Sequence, residues 1–254
     1  RLLCLNSPLN PTGTAMSRDM LAGISEAILS ENEKRKKTGK RPVFLMYDQI
    51  YWMLTADGAS HVTPPGIDPE MARYTIFVDG ISKAFAATGV RVGWAVGPVD
   101  VIDRMSSILG HVGAWAPRAE QVATAKFLDD TASIKTYVRE IKQGIVGRLN
   151  ALHEGFQAFK AQGLPVDSLS PEGAIYLTVR VAPFGKKTPD GTLLSSNEDI
   201  RKLLLDRAGV GVVPFQAFGY PDDDGWFRLS VGAVSLREVQ DALPRIGEAL
   251  RALA

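Results

Sequence analysis

A layered α/β protein, with a mostly parallel sheet flanked by helices and a smaller α+β domain after it, is the fold class this sequence predicts. Three observations carry that expectation. Val43-Phe44-Leu45-Met46-Tyr47 and Tyr74-Thr75-Ile76-Phe77-Val78 are continuous apolar runs, each ending at an aspartate, as strands buried on both faces of a helix-covered parallel sheet read. The next strand-like stretch, Arg91 to Val96, follows after about a dozen residues, barely room for a crossover helix, so it is expected to run antiparallel. Beyond Gly163-Leu164-Pro165 the elements become shorter and mix strand with helix.

Each element has its own signal. Leu2 to Leu5 reads as a short buried strand, and the loop Asn6-Ser7-Pro8-Leu9-Asn10-Pro11-Thr12-Gly13 is held irregular by its prolines and freed at Gly13. Ser17 can cap a helix with apolar positions Met20, Leu21, Ile24, Ala27 and Ile28. The basic run Lys34-Arg35-Lys36-Lys37 suits the solvated end of that helix, where the macrodipole favours cations. Val99 to Leu109 is helical in pattern, and Pro117 can open another helix that runs through Phe127. From Ala132 to Ala161, Ile134, Val138, Ile141, Ile145, Leu149, Leu152, Phe156 and Phe159 recur at helical spacing, enough for a helix of roughly 40 Å that bridges two lobes. Ala174 to Val181, Val210 to Val213 and Trp226 to Val231 read as strands. Ser195-Ser196-Asn197-Glu198 and Ser235-Leu236-Arg237-Glu238 offer capping boxes for two more helices, the first ending near Gly209. The expected division is therefore a large domain over 1–160 and a small one over 161–254.

Composition narrows the function. A chain of 254 residues can bury more than one core. Its 29 Lys and Arg against 28 Asp and Glu give a net charge of +1, with no global electrostatic case for nucleic acid or an anionic membrane. A single cysteine, Cys4, excludes an intramolecular disulfide, and the three histidines lack metal-ligand spacing. No apolar run reaches transmembrane length and no signal-peptide pattern is present, so a reducing cytoplasm is expected. The chain begins at Arg1 and enters a strand at once, from which we expect it to be the C-terminal portion of a longer protein.

The stretch from Val78 to Trp94 is where chemistry concentrates. Lys83 stands in a Ser/Gly-rich turn just past a buried strand, where an amine can be desolvated for covalent work. Arg91, eight residues later, can hold an anion such as a phosphate through a bidentate contact. Asn10, Asp48 and Lys83 all lie at strand ends or in the loops after them, the edge at which open α/β sheets bind ligands. A pyridine-based cofactor asks for such a set: a carboxylate for its ring nitrogen, a lysine for its aldehyde, and an arginine or helix N-terminus for its phosphate.

Four segments, Asn6 to Gly13, Tyr47-Asp48-Gln49-Ile50-Tyr51, Ser82-Lys83 with Arg91 and Gly93, and Arg228-Leu229-Ser230-Val231-Gly232, resemble the successive signatures of class I/II pyridoxal-phosphate aminotransferases of fold type I. The resemblance runs in order over essentially the whole chain. It implies an amino-group transferase that uses pyridoxal 5′-phosphate, with the Schiff base on Lys83, Asp48 on the pyridinium nitrogen, and Asn10 and Tyr51 on the ring's phenolic oxygen. It further implies Arg91 and Ser82 at the phosphate and Arg228 at the substrate's α-carboxylate, with an amino acid and a 2-oxo acid as small-molecule partners and a homodimer as assembly. His61, Trp115, Tyr176 and Phe215 are either pocket-lining or packing residues. Two departures stand out. Gly80 occupies the position where some members carry a phosphate-binding serine, and the family's earlier segments, including its phosphate-cradling helix start and ring-stacking aromatic, have no counterpart in these residues. The same fold and cofactor also serve β-elimination and decarboxylation, and an aminotransferase-like module of a transcriptional regulator is a third reading.

Overall fold

In the computed structural model, which describes residues 1–254, the first sheet has the order β1-β2-β3-β4: β1 (Leu2–Asn6), β2 (Phe44–Asp48), β3 (Thr75–Gly80) and β4 (Gly93–Val96). β1, β2 and β3 are parallel, and β4 returns antiparallel to β3, as the short connection requires. That connection holds only turns, among them a 3-10 turn at Thr88–Val90. The two strands close tightly. A Cβ on Gly80 would lie 2.9 Å from the Val92 carbonyl oxygen and 3.0 Å from the Gly93 Cα, so only glycine fits at position 80.

Helix α1 (Arg18–Lys37) covers one face of this sheet. Ser17 caps it by accepting from the Met20 N–H at 3.1 Å, as the sequence predicts. The buried positions are Leu21, Ser25, Ile28 and Asn32, and Met20, expected on the inner face, is 59% exposed. Two polar residues thus belong to the inner stripe because the backbone satisfies them. Ser25 donates to the Leu21 carbonyl at 2.8 Å, while Asn32 donates to the Val43 carbonyl at 2.9 Å and accepts from its N–H at 2.7 Å. The core beneath α1 gathers Met16, Leu21, Ile28, Leu45, Tyr47 and Met71, with Leu5 and Phe77 packed against it.

The short helix α2 (Pro64–Ile67), α3 (Val99–Val112) and α4 (Arg118–Leu128) follow; α3 starts where predicted and runs three residues further, and α4 lies within one residue of its predicted bounds. Helix α5 (Thr131–Ala161) is unbroken over 31 residues. Gly144 and Gly147 stand on its exposed side, and a Cβ on Gly155 would collide with Leu243.

The second sheet, ordered β5-β6-β8-β7, is antiparallel throughout: β5 (Val166–Ser168), β6 (Tyr176–Val181), β7 (Val213–Pro214) and β8 (Trp226–Ser230). Three expectations change in detail. β6 starts two residues late because Ala174 adopts a left-handed φ of 60°, which ends strand geometry. β7 is only two residues long, since Pro214 has no N–H to extend the ladder. The first capping box is shifted by one: Ser196 caps α6 (Asn197–Ala208), with Asp199 as the reciprocal carboxylate. The box at Ser235 and Glu238 opens α7 (Leu236–Arg251) as predicted.

Contacts divide the chain into one unit of Arg1–Leu9 with Ala15–Ile141 and a second of Asn10–Thr14 with Lys142–Ala254. The cut falls inside α5, whose buried residues, Ile145, Leu149, Leu152, Phe156 and Phe159, all lie after it. The expected boundary after residue 160 places the whole helix with the first domain instead.

Candidate active site

In the first unit, Asp48 is the last residue of β2, at the carboxyl edge of the parallel strands. It stands in register with Asn6 of β1 and Val78 of β3. One carboxylate oxygen, Oδ1, accepts from the Ile50 N–H at 3.0 Å, and Asp48 has no cationic partner. Next to it, Ser7 is 2% exposed, donates its N–H to the Asp48 carbonyl at 3.1 Å and accepts from the Met16 N–H at 3.0 Å. Tyr51 is 4% exposed and opens a 3-10 turn, Trp52–Leu54.

Lys83 and Ser82 lie just past the end of β3, both half-buried. The Ile81 N–H bonds the Val92 carbonyl at 3.3 Å and the Ala86 N–H bonds the Lys83 carbonyl at 3.1 Å, so the segment is pinned on both sides of the lysine. No carboxylate pairs with the Lys83 amine. Arg91 takes a left-handed φ of 62°, is exposed, and donates Nη1 to the Thr88 carbonyl at 2.7 Å. With position 80 closed to any side chain, Ser82 is the nearest hydroxyl preceding Lys83.

Asn10 and Arg228 belong to the second unit. The loop Asn10–Thr14 is stitched to β6 and its approach: Glu172 and Gly173 N–H groups both donate to the Gly13 carbonyl, at 2.9 and 3.0 Å, and Thr178 Oγ1 donates to the Thr12 carbonyl at 2.9 Å. Gly13 has φ of +71°, and a Cβ there would collide with the Tyr176 carbonyl oxygen. This close approach brings Asn10 to Arg228, whose Nη1 donates to Asn10 Oδ1 at 2.8 Å. The Arg228 guanidinium carbon lies 4.5 Å from the centroid of the Tyr176 ring and 4.8 Å from that of Phe218. Its Nε is buried with no protein acceptor. A guanidinium held by aromatic rings, with a donor left over, suits a ligand carboxylate.

Of the other aromatic candidates, Tyr176 lies against Arg228, Phe215 packs on Phe218 and Tyr220, and Trp115 is 53% exposed. His61 stands between Tyr47 and Trp52, with ring centroids 5.8 and 6.1 Å away. Sequence reasoning did not single out Asp79, Gln49 or Trp52, which bond one another on the sheet face opposite Asp48. Their signal was present in the aspartate that ends the second apolar run, but not the face to which it points.

These residues fit a pyridoxal phosphate in kind: a carboxylate without a cation, a lysine without an ion pair and an arginine follow one another along adjoining strand ends. Comparison with known proteins gives the class. The family model for aminotransferase class I and II matches residues 1–246, and the chain belongs to that family. The family uses pyridoxal phosphate. Among curated relatives, an aspartate aminotransferase of Rhizobium meliloti (strain 1021) is 32% identical over 250 residues, covering 98% of this chain and 56% of its own length. A probable aspartate/prephenate aminotransferase of Rhizobium leguminosarum bv. phaseoli is 31% identical over 242 residues, covering 95% of this chain and 56% of its own. The crystal structure of an aspartate aminotransferase from Rhizobium meliloti superposes with a TM-score of 0.84 at 31% identity, over 100% of this chain and 59% of that one. An aromatic aminotransferase from Pyrococcus horikoshii OT3 gives 0.82 at 28% identity, over 99% and 60%. The chain thus spans little more than half the length of the relatives it matches.

Proposed function

We propose that this protein is an aminotransferase that moves an amino group between an amino acid and a 2-oxo acid, with Lys83 as the residue that carries pyridoxal phosphate. The observation that supports this most is the placement of Asp48 in register with Val78, so that a carboxylate ends one strand where its parallel neighbour leads into Lys83. When bound, the cofactor supplies an aldehyde that takes up amines and a protonated ring that draws electrons. Asp48 would hold a proton on the ring nitrogen by its negative charge. Tyr51 and Asn10 would donate to the ring's phenolic oxygen, and Arg91, with Ser82, would hold the phosphate. Arg228 binds the substrate's α-carboxylate through its unpartnered Nε. Lys83 would carry the cofactor's aldehyde, and its amine, when free, would act as the base and acid that moves the proton of the substrate's Cα.

The relatives named for aspartate and prephenate make a dicarboxylic amino donor the first substrate to assay. A homodimer and a cytoplasmic location belong to the same reading. No helix is long and apolar enough to cross a membrane, which is in keeping with it. The large domain over 1–160 and the small one over 161–254 remain the division we propose for the chain.

The test is to incubate the protein with pyridoxal phosphate, reduce with borohydride and locate the label by peptide mass. Label on Lys83 is expected, and label confined to other lysines would overturn the assignment. The Lys83→Ala variant should keep its far-ultraviolet circular dichroism and lose at least a thousandfold in turnover, on the order expected when a covalent nucleophile is removed.

A further inference from the structure

The sheet face turned away from Asp48 carries a second group of polar residues that the proposed reaction does not use. Alternation along β3 sends Asp79 to the face opposite Val78 and its register partner Asp48, and Gln49 turns the same way as Asp79. Asp79 Oδ2 accepts from Trp52 Nε1 at 2.8 Å and from Gln49 Nε2 at 3.5 Å, and its Oδ1 accepts from the Gly80 N–H at 2.7 Å. Behind Gln49, its Oε1 meets His61 Nε2 at 3.3 Å.

All three donors come from the two segments that carry the candidate site. Gln49 and Trp52 flank Tyr51, and Gly80 opens the turn that ends at Lys83. The backbone repeats the link, with the Trp52 N–H on the Gln49 carbonyl at 2.8 Å and the Gln49 N–H on the Val78 carbonyl at 3.0 Å. Asp79 has no cation beside it. A half-buried carboxylate held only by neutral donors is an unfavourable choice for a strand end unless its accepting capacity is needed.

We propose that Asp79 is a positioning residue of the candidate active site: its carboxylate accepts from Trp52, Gln49 and Gly80 at once, locking the turn that bears Tyr51 to the strand end that delivers Lys83. This rests on the reading of Tyr51 and Lys83 given above. An amide in its place has one acceptor oxygen and cannot serve all three donors. Burial raises the Asp79 pKa, opposed by its three donors, while the nearby Asp48 charge raises it further. The other titratable groups on this side are His61, one hydrogen bond away through Gln49, and Tyr47, in ring contact with His61. Protonation of Asp79 removes an acceptor while relieving the cost of burying its charge, so the Tyr51 turn loosens locally as pH falls through that raised pKa even though the folded chain as a whole favours the neutral carboxyl.

The experiment compares the protein with its Asp79→Asn variant in three readouts: Lys83 labelling by borohydride with pyridoxal phosphate, the dissociation constant of pyridoxal phosphate against pH, and Trp52 emission against pH. Trp52 emission is isolated by subtracting the Trp52→Phe variant. Expected are Lys83 label in both proteins, an affinity for the cofactor reduced about tenfold to a hundredfold in the variant at pH 7, and a parent affinity that falls towards the variant's in acid. The Trp52 emission of the parent should show the same acid transition, and that of Asp79→Asn should not. Label on Lys83 with equal affinity and equal pH dependence in both proteins overturns the positioning role alone. A parent that takes no label on Lys83 overturns the underlying reading and the proposal with it, and a Trp52 transition then records a structural contact only. Should Asp79→Asn fail to fold, Trp52→Phe, which removes one of the three donors, must lower cofactor affinity in the same direction, and unchanged affinity in that variant overturns the proposal.

Discussion

His61 and Asp79 answer acid with opposite signs although they belong to one hydrogen-bonded group. Burial lowers the His61 pKa, and its Nδ1 is buried without a partner. Its stabilising contribution is therefore complete above the unfolded value of about 6.5 and is lost as pH falls through the depressed folded value. Asp79, raised by burial, contributes in the other sense: its share is present below the unfolded value of about 3.9 and is lost as pH rises through the raised folded one. Replacement by phenylalanine, His61→Phe, keeps a ring between Tyr47 and Trp52 and should flatten the loss of stability below about pH 6.5, read as denaturant midpoints across pH. An unchanged slope would place the acid response elsewhere. The residue scale also shows where reading the sequence stops. Asp48 and Asp79 both end apolar runs and look alike in one dimension. Only the register of β2 with β3 assigns them to opposite faces, so the first was legible as a candidate site residue and the second was not. Asn10 was legible from its loop, but its place beside Arg228, 218 positions on, needed the folded chain.

Whole elements were read well where a strong local rule governed them. The direction of β4 followed from the length of the connection before it; Ser17 and Ser235 marked helix starts by their capping chemistry, and Pro117 marked one by its fixed backbone angle. Rules failed where a tertiary contact decided. β5, three residues long, carries too little pattern to be seen, and the inner stripe of α1 includes Ser25 and Asn32 because the backbone meets their polar atoms. Two substitutions test this scale. Asn32→Ala leaves both polar groups of Val43 without their buried partner and should lower stability by about 1–3 kcal/mol in equilibrium unfolding. In α5, Gly155→Ala drives a methyl group into Leu243 and should lower stability by about 1–3 kcal/mol, whereas Gly147→Ala, with nothing within 4 Å, should raise it by up to about 1 kcal/mol. Equal effects at the two glycines would mean that α5 and α7 do not approach as described.

At the scale of the molecule, a net charge of +1 and a calculated isoelectric point near 8.0 leave little mutual repulsion in mildly alkaline buffer. Solubility should pass through a minimum near pH 8, and light scattering across pH would show it. The exchange of residues 10–14 into the second unit has a further consequence, one of timing. During synthesis at about 5–20 residues per second, the 166 positions that separate Thr12 from Thr178 of β6 take roughly 8–33 s to emerge. For that interval β1, β2 and β3 can already be paired while the loop between β1 and α1 has no strand to join. A strand made after α5 thus completes the contacts of a loop made before α1, and a pause in translation between the two leaves that loop unattached.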